Sequence, residues 1–420
     1  MNLLSLNGGR DPLSEARELR EQLSSDKRRL AFLLGAGTSM AVGLPGIKEL
    51  TTKVQEALPE PQRVQYAGTI DSISGQPNVE DALNRIRLYR ELLGDSSQKQ
   101  FEGLTGEQAR QLDIKVCRAI YDIVCLPLPH GMPPHVTFAQ WLHAAHVNRD
   151  HPIEIFTTNY DLLLERAMER VGAPFFDGFV GAVEPFFVPE SIDADERVRG
   201  SERASPPRAW ARLWKLHGSV NWRMLEDTQR LEQHLANGRI VRLGDVAPTE
   251  GQQLIIFPSR DKYADSRRLP FVALQDRLRK ILGEGELLLL ILGYGFGDQH
   301  INEIIFQGLR SNPRLSVVAT VYEACRDDQG IVLPESVLHF GLEHRNLAIY
   351  GPDAVCVGGV ISGWSDCPAH AKGTWPFWSA TDHRFTLGDF SAFAAFLEGF
   401  IGFGKSRQRG GIPDMAGDQA

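Results

Sequence analysis

The run Leu287-Leu288-Leu289-Leu290-Ile291-Leu292 has no polar residue to turn toward water. A strand of alternating character leaves one face in solvent. An unbroken apolar strand needs cover on both faces, as strands of parallel sheets have. Runs of the same kind recur at 30–34, 153–157, 213–216, 254–257 and 315–321. Between several of them lie amphipathic helical patterns, at 47–58, 161–171, 271–282 and 299–309. Strands of this kind alternating with helices specify a Rossmann-like, doubly wound α/β fold around a parallel sheet.

The chain of 420 residues exceeds the usual size of one domain, so inserted or appended units are expected. The sheet-forming domain is assigned to 28–58 and 150–335. Between these pieces, 79–93, 107–124 and 136–146 carry helical periodicity with no strand among them, which makes 59–149 a helical insertion. Residues 183–209 are polar and Pro-rich and read as a long loop. A C-terminal extension, 336–405, has short strand-like runs at 348–350 and 354–361, an aromatic segment and a helix near 387–401. Its aromatics, Trp375, Phe377, Trp378 and the Phe-rich stretch 390–403, suit either an interface or packing onto the main domain. Residues 406–420 read as a disordered tail.

Charge and cysteine usage exclude several classes. The net charge of −8 offers no general attraction to nucleic acid or anionic membrane, so direct nucleic-acid binding is disfavoured. The five cysteines include no C-x-x-C pair, which argues against a disulfide framework and a structural zinc site. The first residues lack a basic start followed by an apolar stretch, and the longest apolar run is far too short to cross a bilayer. A cytoplasmic protein with reduced thiols and no membrane contact is expected.

The first strand runs into Gly35-Ala36-Gly37-Thr38-Ser39 and then Gly43-Leu44-Pro45-Gly46 before a helix. A glycine turn at this place lets backbone N–H groups approach a pyrophosphate, and the hydroxyls of Thr38 and Ser39 suit capping or phosphate contact. The plain alternative is a tight turn without a ligand. The dehydrogenase fingerprint G-x-G-x-x-G fails, because Met40 stands at the third glycine position. A second glycine motif, Gly399 to Ser406, spells G-x-x-x-x-G-K-S. A phosphate loop needs a strand before it and a helix after it, whereas helical periodicity precedes this one and a short polar tail follows, so the match is taken as chance. His143 and His146 stand at i, i+3 on a helical pattern, near His135 and His151. No acid stands at matching spacing, so no metal is expected there.

In a doubly wound fold, ligands bind outside the carboxyl ends of the strands. Four strand ends carry glycine or small polar groups. One is the Gly35 turn. The second holds Asn159 and Asp161, where Asp161 is explained as a helix N-cap and Asn159 has no such account; its amide suits a ribose hydroxyl or a water. The third ends in His217 and Gly218, the glycine leaving room beside the ring. The fourth runs Gly293-Tyr294-Gly295-Phe296-Gly297-Asp298.

Taken in this order, Gly35-Ala36-Gly37, Ser39, Gly43, Pro45, Asn159, Asp161 and His217-Gly218 make the chain resemble the sirtuin superfamily, specifically its bacterial NAD-hydrolysing branch in anti-phage defence. The resemblance implies that Asn159 and His217 are the catalytic pair. It also implies NAD as substrate, with Gly35, Ala36, Gly37, Ser39 and Pro45 at its pyrophosphate side. Asp161, Gly218, Gly293, Tyr294 and Asp298 complete the expected binding residues, Asp298 either touching the adenosine ribose or capping the next helix.

Deacylating sirtuins carry Asp-Phe-Arg where this chain has Gly46-Ile47-Lys48, a Gln where it has Thr158, and four zinc cysteines that it lacks. Peptide deacylation is therefore disfavoured and no zinc is expected. By the same resemblance the chain is most like the subunit that partners a HerA-type ring ATPase, and it is expected to form a homo-oligomer. The rival readings are a non-catalytic module that senses NAD or ADP-ribose, and a nuclease component of a DNA-processing complex with an ATPase. Neither Asn159 nor His217 belongs to an apolar pattern, so alanine at either should spare the fold.

Overall fold

The computed structural model describes residues 9–145, 149–193, 211–225, 239–244, 246–247, 253–256, 270–323, 325–327, 330–367 and 375–401. Its main sheet is built from β1 (Arg29–Leu34), β2 (Glu154–Thr157), β3 (Phe175–Phe176), β4 (Ala211–Lys215), β5 (Leu287–Leu292), β6 (Leu315–Thr320), β7 (Leu347–Tyr350), β8 (Ala354–Val357) and β9 (Val360–Gly363). The order across the sheet is β9-β8-β7-β6-β5-β1-β2-β4-β3. The pairs from β7 through β3 are parallel. The edge β7-β8-β9 is antiparallel, with Gly358 and Gly359 at positive φ in the tight turn between β8 and β9. The expected doubly wound α/β fold is therefore present.

The helices are α1 (Pro12–Ser24), α2 (Ala36–Met40), α3 (Ile47–Ala57), α4 (Gln62–Asp71), α5 (Val79–Leu93), α6 (Gly106–Val124), α7 (Pro134–Ala145), α8 (Leu163–Val171), α9 (Phe271–Gly283), α10 (Gln299–Ser311), α11 (Glu335–Glu343) and α12 (Phe390–Glu398). Successive side chains of a strand point to opposite faces, and the sheet uses both. Leu30, Phe32 and Leu34 of β1, with Leu288, Leu290 and Leu292 of β5, meet α1, α7, α8 and α12. Ala31, Leu33, Leu287, Leu289 and Ile291 meet α9, α10 and α11. This is why those two strands read as unbroken apolar runs.

A third core joins α3 to α6 through Leu50, Val54, Tyr66, Val79, Ile86, Leu112 and Ile120, and it reaches the main domain at Leu162 and Val220. Thus α7, within the stretch read as an insertion, lies on the main sheet, whereas α3, read with the first βα unit, packs with α4 to α6.

The run at 254–257 behaves differently from its expected place. Gln253–Ile256 is a strand, but of a second, antiparallel sheet whose order is Gln253–Ile256, Gly218–Leu225, Arg239–Arg242, Phe186–Phe187, Phe179–Val180. Phe257 lies outside the described residues. A short apolar run has the same pattern in either kind of sheet. Of the segment read as a long loop, the described part holds Phe186–Phe187 and a 3-10 turn at Pro189–Ser191; residues 194–209 lie outside the described residues, as does the tail 406–420.

The C-terminal aromatics are core. Phe377, Trp378, Phe390, Phe393 and Phe396 are buried with Phe32 and Phe138, so the interface alternative loses these side chains. Helix α12 runs to Glu398, directly before Gly399, which places a helix where a phosphate loop requires a strand; Gly402 to Ser406 lie outside the described residues.

Candidate functional site at the switch point of the sheet

The chain leaves β1 toward β2 on one side and later returns with β5 on the other. The crevice between the ends of β1 and β5 is therefore the topological switch point. Here the backbones of the two glycine turns touch. A Cβ on Gly35 would stand 2.5 Å from the Gly293 carbonyl oxygen, and one on Gly37 2.7 Å from the Gly293 Cα. Gly293 itself has φ +62, and its Cβ would lie 2.6 Å from the Thr38 nitrogen. The three glycines are thus required by one another.

The turn is also closed by its own hydrogen bonds. Gly35 N–H donates to Leu292 O at 2.9 Å, Gly37 N–H to Gly293 O at 2.8 Å and Thr38 N–H to Gly35 O at 3.0 Å. The Thr38 hydroxyl donates to Gly35 O at 2.8 Å, and the Ser39 hydroxyl to Asp161 Oδ2 at 2.6 Å. The Gly35, Gly37 and Thr38 N–H groups and both hydroxyls thus have acceptors within the protein. Ala36 is exposed at the head of α2, and Pro45 is half-buried in the loop that follows.

Asn159 leaves the end of β2 with its backbone fixed by Thr157, whose hydroxyl accepts from Asn159 N–H at 3.0 Å and donates to Leu34 O at 2.9 Å. Its Nδ2 donates toward Gly35 O at 3.0 Å, Thr38 Oγ1 at 3.1 Å and Ser39 Oγ at 2.8 Å. A carbonyl accepts only, so Gly35 O fixes which end of the amide faces the turn. The donor end holds the turn together, which leaves Oδ1 as the acceptor end of the amide. Alanine at Asn159 would therefore not spare the fold entirely, contrary to the expectation from its polar surroundings in sequence.

Asp161 is not the N-cap of α8. That position belongs to Leu162, while Asp161, one residue earlier, accepts from Leu163 N–H at 3.0 Å through Oδ1. Its other oxygen takes the Ser39 hydroxyl. The ammonium of Lys215, at the end of β4, bonds the Asp161 carbonyl oxygen and lies 2.8 Å from Glu165.

His217 stands where β4 ends and the chain crosses into the second sheet at Gly218, whose φ of +80 permits the bend. Its Nε2 lies 2.8 Å from Asp298 Oδ2. Asp298 uses its other oxygen to cap α10, accepting from His300 N–H at 2.9 Å and Ile301 N–H at 3.2 Å. Asp298 thus fills the expected capping role. Burial pushes the Asp298 carboxyl up, and the His217 ring together with the two backbone donors outweighs this, leaving it below the usual carboxylate range.

On its other side the ring faces a residue from the helical unit. Glu80 Oε1 lies 4.0 Å from His217 Nδ1 and accepts the Tyr160 hydroxyl at 2.6 Å. Burial raises the Glu80 carboxyl above its ordinary range, against the opposing pull of His217 and Tyr160. Burial and the Glu80 charge likewise raise the Tyr160 phenol, which stays protonated as the donor.

In the loop after β5, the Tyr294 hydroxyl bonds Asp298 O at 3.2 Å and Asn302 Oδ1 at 2.9 Å. Asn302 in turn donates to Phe296 O at 2.8 Å. Phe296 adopts φ +55, a left-handed conformation that a bulky side chain rarely takes. Held strain of this kind clusters at ligand sites.

Among the described residues, no group of three or more His, Cys, Asp or Glu side chains is arranged to hold a metal ion. His143 is exposed on α7, and His146 lies outside the described residues.

Residues 153–332 match the profile of the SIR2-like domain. This SIR2-like segment contains Asn159, Asp161, His217, Gly218, Gly293, Tyr294 and Asp298; the Gly35 turn and Glu80 lie before it. No curated protein matches the chain. Among solved structures, a Sir2 protein with a p53 peptide and NAD+ is 14% identical with a TM-score of 0.33, covering 72% of this chain and 85% of that one. Sir2Tm bound to a propionylated peptide is 15% identical with a TM-score of 0.31, covering 73% and 86%.

The structure thus gathers Gly35, Gly37, Ser39, Asn159 and Asp161 in one hydrogen-bonded group at β1 and β2, and His217 with Asp298 in a second at β4 and β5. Glu80 and Tyr160 went unread as site residues. An acid in the first turn of a helix is ordinary, and nothing in the order of residues shows that α5 starts beside His217. The Asn-Tyr pair at 159 and 160 was the available signal for Tyr160.

Proposed function

We propose that the chain hydrolyses the nicotinamide–ribose bond of NAD to nicotinamide and ADP-ribose. The observation that carries this reading is the pairing of His217, after β4, with Asp298, after β5, together with Asn159 held by its Nδ2 at the end of β2, the strand beside β4. The SIR2-like match over 153–332 and the resemblance of the motifs support NAD as the substrate.

In the proposed step the bond from ribose C1′ to the pyridinium nitrogen breaks with its electrons leaving on nitrogen, so nicotinamide departs neutral and needs no acid. The ribose passes through an oxocarbenium-like state, as in other glycoside cleavages. Water adds to C1′, and its proton goes to the imidazole and then to solvent. Asp298 accepting from Nε2–H selects the tautomer in which Nδ1 is basic. Asn159 Oδ1, an acceptor, orients the water or a ribose hydroxyl.

The wider reading is a cytoplasmic NAD-depleting effector of anti-phage defence, active as a homo-oligomer that docks a HerA-type ring ATPase. It rests on the resemblance, and light scattering with and without such an ATPase tests it. The activity is tested by incubating purified chain with NAD and quantifying free nicotinamide. Release together with ADP-ribose is expected. Binding of NAD with no release would overturn hydrolysis in favour of a sensing module; neither binding nor release would remove NAD altogether and leave the nuclease reading to be assayed on DNA.

A further inference from the structure

Glu80 does not belong to the sheet that builds the rest of the site. It sits in the first turn of α5, fixed there by an N-terminal capping box in which Asn78 accepts from Asp81 N–H and Asp81 accepts from Asn78 N–H. That turn is anchored a second time by Val79, whose N–H donates to the Thr51 hydroxyl of α3 at 2.9 Å. The core of α3 to α6 closes over Leu162 and Val220, which flank the loop of Tyr160 and the strand that follows His217. Tyr160 O accepts from Val220 N–H at 3.0 Å, so the backbone carrying Tyr160 is tied to the chain just beyond His217. The helical unit is therefore docked so that one carboxylate reaches the imidazole.

We infer that Glu80 is a positioning residue for His217, and that docking of the helical unit α3 to α6 completes the site by supplying it. The inference deepens the hydrolysis reading and rests on it for its rate readout only. A ring that takes a proton during the reaction becomes a cation between two carboxylates, Asp298 on Nε2 and Glu80 toward Nδ1. Asp298 orients the ring through a direct hydrogen bond. Glu80, 4.0 Å away, acts by charge across a short gap of low polarity, where a charge is worth more than in water. The Tyr160 hydroxyl holds the carboxylate at that distance. The charged and titratable groups around this position are Asp298 from the head of α10, Asp81 from α5, and Tyr160 and Asp161 from the loop after β2.

Burial raises the Glu80 carboxyl above its ordinary range, so its charge is lost earlier than usual as the pH falls. Turnover should decline on the acid side as Glu80 takes its proton. In Glu80→Gln that limb should move or vanish.

The test uses the full chain, with Glu80→Gln, Glu80→Asp and Tyr160→Phe. Nicotinamide release should fall about tenfold or more in Glu80→Gln, in kcat and with KM little changed, as expected for a group acting on the developing charge. Glu80→Asp should recover part of the loss, and Tyr160→Phe should lie between. Independently of turnover, the ring-proton resonances of His217, recorded by NMR at one neutral pH, should shift in Glu80→Gln and return toward their original positions in Glu80→Asp, because the carboxylate facing Nδ1 is removed and then restored. Unmoved His217 resonances in a folded Glu80→Gln overturn the inference, whether or not the chain hydrolyses NAD. Shifted resonances in a chain that releases no nicotinamide keep the positioning role and remove only the hydrolysis reading.

Discussion

At Asn159 one amide carries two tasks, and alanine removes both. Its Nδ2 holds Gly35 O, Thr38 Oγ1 and Ser39 Oγ, and its Oδ1 is the group assigned to the water or a ribose hydroxyl. Asn159→Ala should abolish nicotinamide release and also cost about 1–3 kcal/mol of stability, because the hydrogen bonds from the amide to the turn are lost. Urea denaturation beside the turnover assay checks both; an unchanged midpoint would show that the turn does not depend on the amide. Asp298 offers the converse. Asn is as good an N-cap as Asp, so Asp298→Asn should keep α10 and change stability by less than about 1 kcal/mol. An amide NH2 toward Nε2 reverses the hydrogen bond and with it the tautomer, so turnover should drop by roughly 100-fold. Equal turnover in Asp298→Asn would remove Asp298 from the orientation of the ring.

At the scale of elements, the contact of α2 with the end of β5 depends on glycine for reasons of space and backbone alike. Gly293 has both a positive φ and backbone atoms closer than 3.0 Å to any added Cβ. Gly293→Ala should therefore cost at least about 2 kcal/mol. Gly43 also has a positive φ, of +88, but open space around it, so Gly43→Ala should cost only about 1 kcal/mol. Melting temperatures of the two variants test this ranking, and a reversed order would mean that the turns are not packed as described. The chemistry of the same segment is harder to read. Glycine between strand and helix signals close approach, and in sequence nothing says whether a ligand or another strand makes it.

For the whole molecule, the C-terminal segment is part of the main domain rather than an appended surface. Phe393 and Phe32 stand 6.4 Å apart, and Phe32 also meets Phe138 at 5.1 Å. Strands β7 to β9 complete the edge of the main sheet. A chain ending at residue 340 loses these strands and α12, so it should be insoluble or lack a cooperative unfolding transition. A folded, soluble truncation would show that the extension is an independent unit. Assembly is accordingly best tested on the full chain, since Phe377, Trp378, Phe390, Phe393 and Phe396 are buried within one copy.

The α/β class and most strands and helices of the main sheet were legible because each follows from a local period. Leu287–Leu292 has to be buried on both faces, and Phe271–Gly283 carries one apolar stripe. The strand ends holding Asn159 and His217 were legible too, because a sheet of this kind has one edge where ligands bind. Local order did not decide which distant groups complete the site. The antiparallel place of Gln253–Ile256, the mutual need of Gly35, Gly37 and Gly293, and the arrival of Glu80 beside His217 are all contacts between segments far apart in the chain. A residue's own pattern fixes its period and its charge. Its partner is fixed only when packing brings two surfaces together, and only the tertiary structure records that.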